Sequence, residues 1–495
     1  MKSSALKILN ENDLKGETPF LRPLADVLDK TQPRALRALS QIIDNGLCHR
    51  CGSCVGICPT DTLGLDNESY PKVKNLSACT DCDLCVKVCP GDEFDFHKTH
   101  LEKFGNEGDI TSTHGQFLES FVAYSNDSWI REHSTSGGLV TGILLYLLEE
   151  KLIDGAVVIV SDPENIWKGK PIIARTKDEL LLSLKSKYSI APTNSVFNEI
   201  REMEGRYVLV GLPCQIHGYF KARELDAKLK ERIVLTIGIF CHAAVEHDGY
   251  RLVWESLGEK KSNAKKFISR VGKHPGTPHI EKADGTLEPV YFPEKKGFRP
   301  SSMEMINILY RLYSPKRCLT CFDALAEFAD ISIGDPWLAP PDDQINFYDG
   351  WSFALVRDQK AKEIVKTMQE KNLITIYNTT EKEALSCNKM MSSEKVWRAF
   401  RIIETHRRQG KAVPKYADYE ITMPPLGLKQ FLKTEINMFT HIFCFLPLRH
   451  RAIVLKFMLS NGGYALLWIN NQRRNLRYFI RDNYVKFKRN LIGRK

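Results

Sequence analysis

Two stretches of the chain, CHRCGSCVGICP at 48–59 and CTDCDLCVKVCP at 79–90, repeat one pattern, C-x-x-C-x-x-C-x-x-x-C-P. In each copy three closely spaced thiolates suit three corners of a four-iron cube. The fourth cysteine, followed by proline, reaches across to the other cube. The spacing assigns Cys48, Cys51, Cys54 and Cys89 to one 4Fe–4S cluster, and Cys79, Cys82, Cys85 and Cys58 to a second. Zinc ribbons also use C-x-x-C units, but as two pairs, whereas each copy here offers three plus one. Gly52, Ser53 and Gly56 are expected to let the first loop pack close to its cube. Two adjacent one-electron centres make a wire, and a wire implies a two-electron cofactor or an external acceptor at each end.

Six of the 14 cysteines lie outside the repeat. Cys214 follows an apolar run in VGLPCQIHG, Cys241 ends another in IGIFCH, and Cys318 and Cys321 form KRCLTC. Two strand ends and one C-x-x-C can meet at one sheet edge, where α/β proteins build sites. By spacing alone they are equally ordinary buried thiols, since free cysteine is among the most buried residue types. Cys387 and Cys444 have no partner pattern and read as structural.

A third feature is the turn STSGG at 134–138, ahead of the apolar stretch LVTGILLYLLEEKL. Ser or Thr caps such a helix, and glycines let backbone approach a ligand. Free N–H groups and the helix dipole then favour an anion, such as the phosphate of a cofactor. The turn is neither G-x-G-x-x-G nor a Walker loop, and a plain capped turn accounts for it as well.

The elements that must position these groups follow from patterning. A chain of 495 residues, 43% apolar and 26% charged, exceeds what one core usually serves. Residues 1–42 form a lead with an amphipathic helix near 33–45, and 43–95 hold the cysteine repeat. Residues 96–115 read as a polar linker. From 116 to 400, apolar runs (DGAVVIV, RYVLVGLP, RIVLTIGIF) alternate with helical segments such as 139–152, the pattern of an α/β domain. A Pro-containing break at 410–427 precedes the end of the chain. The formal charge of +10 belongs to this end, because 401–495 carries 19 Lys/Arg against 5 Asp/Glu. Three readings of that segment stand: an interfacial helix pair on anionic lipid, a docking arm for an acidic partner, or a helical cap with a solvated charged face. No fold or groove-reading motif supports nucleic-acid binding. The N-terminus lacks a signal-type apolar run and no stretch reaches membrane-span length, so a cytoplasmic protein with reduced thiols is expected, with membrane association on the cytoplasmic face if the tail binds lipid.

The segments STSGGLVTGILLYLLEEKLIDGAVV, SKYSIAP, VGLPCQIHGYF, IGIFCH, RCLTCFDALAEFADISIGDPW and GWSFALVR occur in this order. Together they resemble the coenzyme F420 hydrogenase/dehydrogenase beta-subunit family over about residues 43–400. The resemblance implies an α+β ferredoxin-like two-cluster module and an α/β FAD-binding core at 116–400; beyond the match, the sequence itself reads as a mostly helical basic extension at 401–495. It implies an oxidoreductase that exchanges hydride between coenzyme F420 or a related donor and FAD, and passes single electrons through 4Fe–4S clusters to a redox partner protein. By the same resemblance Ser136, Gly137, Gly138, Lys187 and Tyr188 become flavin contacts, and Asp335 organises the polar network. Cys214, Cys241, Cys318 and Cys321 become ligands of a third 4Fe–4S cluster. Lys185 and Ser186 stand before Lys187 where many relatives have glycine. SRVGKHPG at 269–276 replaces a compact Arg-Gly-Lys-Gly stretch, leaving Arg270 and Lys273 as substrate-phosphate contacts. Two alternatives remain: a ferredoxin-dependent reductase of a biosynthetic substrate, and a non-catalytic electron-transfer subunit.

Overall fold

The computed structural model describes residues 33–292, 297–337, 346–417 and 419–473. Its centre is an eight-stranded sheet in the order β13-β3-β12-β11-β7-β6-β4-β5. The strands are β3 (Glu119–Ser125), β4 (Gly155–Ser161), β5 (Gly169–Ala174), β6 (Tyr207–Gly211), β7 (Ile233–Ile239), β11 (Ile331–Gly334), β12 (Ser352–Val356) and β13 (Ile374–Asn378). The inner four, β11, β7, β6 and β4, run parallel. β12, β3 and β13 on one side and β5 on the other run antiparallel to their neighbours, so the expected α/β core carries a mixed sheet.

Alternation along the strands divides two cores. Ala156, Val158 and Val208 face helices Leu139–Glu149 and Gln359–Glu370. Val157 and Leu209 face the opposite side, where they join a cluster containing Ile57 and Val88 of the cysteine repeat and Leu36 of the helix before it. The repeat thus shares a hydrophobic core with the sheet. It is built on the hairpin of β1 (Leu63–Leu65) and β2 (Pro71–Val73), the helix Arg34–Asp44, and one short helical turn per copy, Ser53–Gly56 and Leu84–Lys87. A second small sheet, β8 (Ala264–Val271), β9 (Thr277–Lys282) and β10 (Leu287–Pro289), packs with helices His247–Ser256 and Ser302–Tyr313.

Residues 96–104, expected to be linker, form the helix Phe96–Phe104. Asp95 caps it, and Phe96 at 1% exposure joins the shared core, so burial of one aromatic face outweighs the polar composition. The boundary drawn at 400 falls inside a single helix, Lys389–Arg408. Helices Leu428–His441 and Leu448–Met458 follow. The lead before residue 33 and the segment 474–495 lie outside the described residues.

Candidate functional site

The cysteines come together in three groups of four. Burial first, then repulsion from Cys48, Cys89, Cys51 and Cys85, pushes the Cys54 thiol well above the usual range. Burial and Cys89 raise Cys48 and hold Cys51 at about 11. Cys85, desolvated and beside Cys82, Cys58 and Cys79, is pushed to about 12. Apart from Cys85, which reaches Cys54 from the other set, the neighbours of Cys54 and Cys85 are the ones that the crossed spacing groups with them. Cys58, Cys79, Cys82 and Cys85 also line one small cavity with Leu36 and Leu63. Cys58 differs in sign, because desolvation of its thiol is outweighed by backbone N–H groups of Thr60, Leu63 and Thr62 and by the Thr60 hydroxyl.

The third group is Cys214, Cys241, Cys318 and Cys321. Cys214 sits in the first turn of helix Pro213–Leu225, directly after β6, and Cys241 lies just beyond β7. Both leave the carboxyl ends of adjacent parallel strands. Short helix Lys316–Leu319 carries Cys318, with Cys321 two residues beyond it. Burial, then Cys51, Cys318, Cys321 and Cys241, pushes Cys214 well up. Burial pushes Cys241 to about 12, against the opposing pull of Lys395.

Left alone, groups this close and this dry stay as neutral thiols; as thiolates they need a compensating cationic core, of the kind that an iron–sulfur cube supplies. His49 Nδ1, Thr193 Oγ1 and Asn194 Oδ1 are also buried without a hydrogen-bond partner. Among the described residues no three His, Cys, Asp or Glu side chains are arranged to hold a single metal ion. The donor chemistry therefore fits four-iron clusters.

The groups adjoin in order: Cys54 neighbours Cys85 of the second, and Cys51 neighbours Cys214 of the third. Between Cys51 and Cys214 stands Asn194, fully buried, whose N–H donates to Cys51 O at 2.9 Å and whose Nδ2 donates to Gln215 O at 2.8 Å. At the far end Cys82 is the one exposed cysteine of the 14. The glycines of the first loop serve this junction. A Cβ on Gly56 would lie 2.1 Å from Asn194 O, and one on Gly52 2.6 Å from Ser195 N. These glycines were expected to admit a cube; the close approach they permit is instead to the α/β core's own backbone.

The turn at 134–138 is drawn into a different network. Ser136 Oγ donates to Asp335, and Arg270 Nη1 donates to Asp335 Oδ2 at 2.7 Å. Arg270 also sits beside the Tyr188 hydroxyl, where its charge opposes the rise that burial gives that phenol. Asp335 follows β11, at the same carboxyl edge of the sheet as the third cysteine group. Ser136, Tyr188 and Asp335 are therefore brought together, with Arg270 at their centre. Lys187 stands apart, its Nζ donating to Ser183 O and Leu184 O at 2.7 Å each. Gly137 is excluded from bearing a side chain by strands, not by an open cradle: a Cβ would lie 2.4 Å from Ala123 O. Gly138 (φ 75°) takes the left-handed conformation that starts helix Leu139–Glu149. Ser134 Oγ is buried with no partner.

Four ionisable groups beside the third cysteine group were not singled out from sequence. His217 Nε2 lies 3.1 Å from Asp323 Oδ2, and the imidazole stacks on Phe94. Their positions, three after Cys214 and two after Cys321, are the only signal. Lys395 (2% exposed) and Arg398 (0%) point inward from helix Lys389–Arg408. Nothing in the sequence marks these two, since charge normally signals solvent.

The family description "Coenzyme F420 hydrogenase/dehydrogenase, beta subunit" matches this chain in two parts, the N-terminal part over 120–198 and the C terminus over 204–382. A 4Fe-4S dicluster domain matches 40–90. An uncharacterised protein of Methanocaldococcus jannaschii is 31% identical over 50% of this chain and 84% of its own length. The coenzyme F420 hydrogenase subunit beta of Methanothermobacter thermautotrophicus is 26% identical over 61% of this chain and 99% of its own. The coenzyme F420-dependent sulfite reductase of M. jannaschii is 26% identical over 68% of this chain, which spans only 48% of that protein. A chain in the F420-reducing NiFe hydrogenase complex of Methanosarcina barkeri superposes with a TM-score of 0.49 at 22% identity, covering 62% of this chain and 98% of that one.

Proposed function

The chain belongs to the coenzyme F420 hydrogenase/dehydrogenase beta-subunit family, a family of iron–sulfur oxidoreductase subunits, and from that membership we propose that it is a flavin-dependent enzyme exchanging hydride with coenzyme F420 or a related donor and passing single electrons to a partner protein. The observation that carries this reading is the succession of adjoining cysteine groups from the sheet's carboxyl edge to exposed Cys82. In it Cys214, Cys241, Cys318 and Cys321 hold a 4Fe–4S cluster nearest the substrate. Cys48, Cys51, Cys54 and Cys89 hold the next, and Cys79, Cys82, Cys85 and Cys58 the outermost. Iron chains longer than one centre are useful where electrons must leave the site of two-electron chemistry.

FAD supplies the conversion between paired and single electrons when it is bound. The chain's part is to hold and orient it. Ser134, with its unpartnered buried hydroxyl, and the N–H groups that open helix Leu139–Glu149 suit a phosphate. Ser136, Tyr188 and Asp335, locked by Arg270, form one wall. Because Arg270 is committed to Asp335, it serves orientation of that wall more than capture of a substrate phosphate.

The test is anaerobic reconstitution with iron, sulfide and FAD, then spectroscopy with reduced coenzyme F420, NADH and NADPH added in turn. About twelve irons and one flavin per chain, with bleaching by the deazaflavin, is the expected result. A flavin-free but redox-active protein would reduce the chain to an electron carrier.

A further inference from the structure

Helix Leu428–His441 is built inside out. Its buried side chains are Thr434, Asn437 and His441. Asn437 Nδ2 donates to Glu394 at 3.2 Å, and His441 Nε2 lies 3.1 Å from buried Arg398. Its outward face is Leu428, Phe431, Leu432, Ile436 and Phe439, with exposures of 44–74%. The spacing i, i+3, i+4, i+8, i+11 makes this one continuous apolar stripe. A surface helix of a soluble protein has the opposite arrangement, and apolar faces of this size mark interaction sites.

The feature continues. Ile442 and Phe445 extend the stripe, while Ile453 and Phe457 of helix Leu448–Met458 and Leu466 and Ile469 beyond it are also exposed. The same helices are anchored inward by Ala452, Leu455 and Leu467, so the exposed residues are not left over from loose packing. From 428 to 473 the chain has six Lys/Arg and one Glu, and from 474 to the end eight more Lys/Arg and one Asp. Lys429 and Lys433 are exposed beside the stripe, and Arg449 and Arg473 are exposed on the next two helices. Among the described residues no single helix is long and apolar enough to cross a membrane. Leu448–Met458 and Asn461–Arg473 reach that composition only as a pair bent by 66°.

We propose that residues 428–473 seat the protein on an anionic bilayer surface, the apolar side chains entering the headgroup region and the flanking cations meeting lipid phosphates. An interfacial helix needs an apolar face, a basic border and low net hydrophobicity, and helix Leu428–His441 has all three. The charge favours lipid over a second copy of this chain, whose equally basic face would repel it.

The experiment is flotation of the cluster-loaded full chain with vesicles of phosphatidylcholine alone or with ~30% phosphatidylglycerol, at ~0.1 and ~0.5 M salt. Binding to the anionic vesicles, weakened at least tenfold by the higher salt or by omitting phosphatidylglycerol, is expected. Ile436→Glu with Phe439→Glu should abolish flotation while circular dichroism and iron content stay at the parent's values. Both side chains point to solvent, and Lys429→Glu with Lys433→Glu offers a second variant that leaves the stripe intact. The proposal is overturned if the chain floats with neither vesicle, if light scattering shows a dimer that the Glu pair dissolves, or if detergent alone, and not salt or carbonate, releases it from the bilayer.

Discussion

Lys395 Nζ donates to the carbonyl oxygen of Cys241 at 2.7 Å. A second bond, to Asp323 O at 2.6 Å, fixes the ammonium beside the third cysteine group. Burial opposes the charge, but the neighbouring thiols of Cys321 and Cys241 and the Asp323 carboxylate keep it raised above the usual lysine value. A fixed cation beside a cluster stabilises its reduced state. Lys395→Met should lower the potential of one cluster by roughly 60 mV, equivalent to about 1.4 kcal/mol for one electron. Redox titration followed by electron paramagnetic resonance reads this, with the clusters proposed for the cysteine repeat as internal controls.

The crossed arrangement of the repeat makes a pairing prediction. Cys89→Ala should give the same spectroscopic defect as Cys51→Ala, because both lie around Cys54. Cys58→Ala should instead match Cys82→Ala, its partner around Cys85. Defects that sort by sequence copy would contradict the grouping. Each variant should lose about four irons.

Gly56 presses against the backbone of Asn194, where a methyl group would fall 2.1 Å from the carbonyl oxygen. Gly56→Ala forces the loop and the sheet apart, at a cost of about 2 kcal/mol or more. The melting temperature of the loaded protein should fall by several degrees. The electron-transfer rate from the third group to the first should fall too, since Asn194 joins Cys51 to Gln215.

Burial, and secondarily Lys266, hold Lys187 down at about 7. Between that value and the unfolded lysine's ~10.4 the unfolded chain binds the extra proton, so stability rises with pH across this window. Below about 7 both states are protonated and the contribution levels off at its unfavourable limit. Lys187→Met should flatten the rise, measured as the difference in denaturant midpoint between the two proteins from pH 7 to 9.5.

Strands β4, β6 and β7 were legible because they are continuous apolar runs, as buried parallel strands must be. Helix Arg34–Asp44 was legible from its apolar period. The cysteine spacing named two groups, and strand ends brought the third within reach. Strand direction was not legible, because β12 and β3 have the same composition whether paired parallel or antiparallel. Phe96–Phe104 was hidden by its own His, Lys and Glu residues, its one buried Phe being too little signal. Lys395, Arg398 and the inverted helix Leu428–His441 were hidden for one reason. Each reverses the usual relation of polarity to solvent, and only the fold shows which way they face.

The joint at Gly52, Gly56 and Gly218, where Cβ atoms would meet Ser195, Asn194 and Ser53 at 2.1–2.6 Å, has a bearing on ancestry. Ferredoxin pieces are commonly thought of as cartridges, exchanged between enzymes through a flexible tether. Here the piece is keyed to its host, and a foreign one would arrive with the wrong teeth. A change of tooth on one side of this joint therefore calls for a matching change on the other.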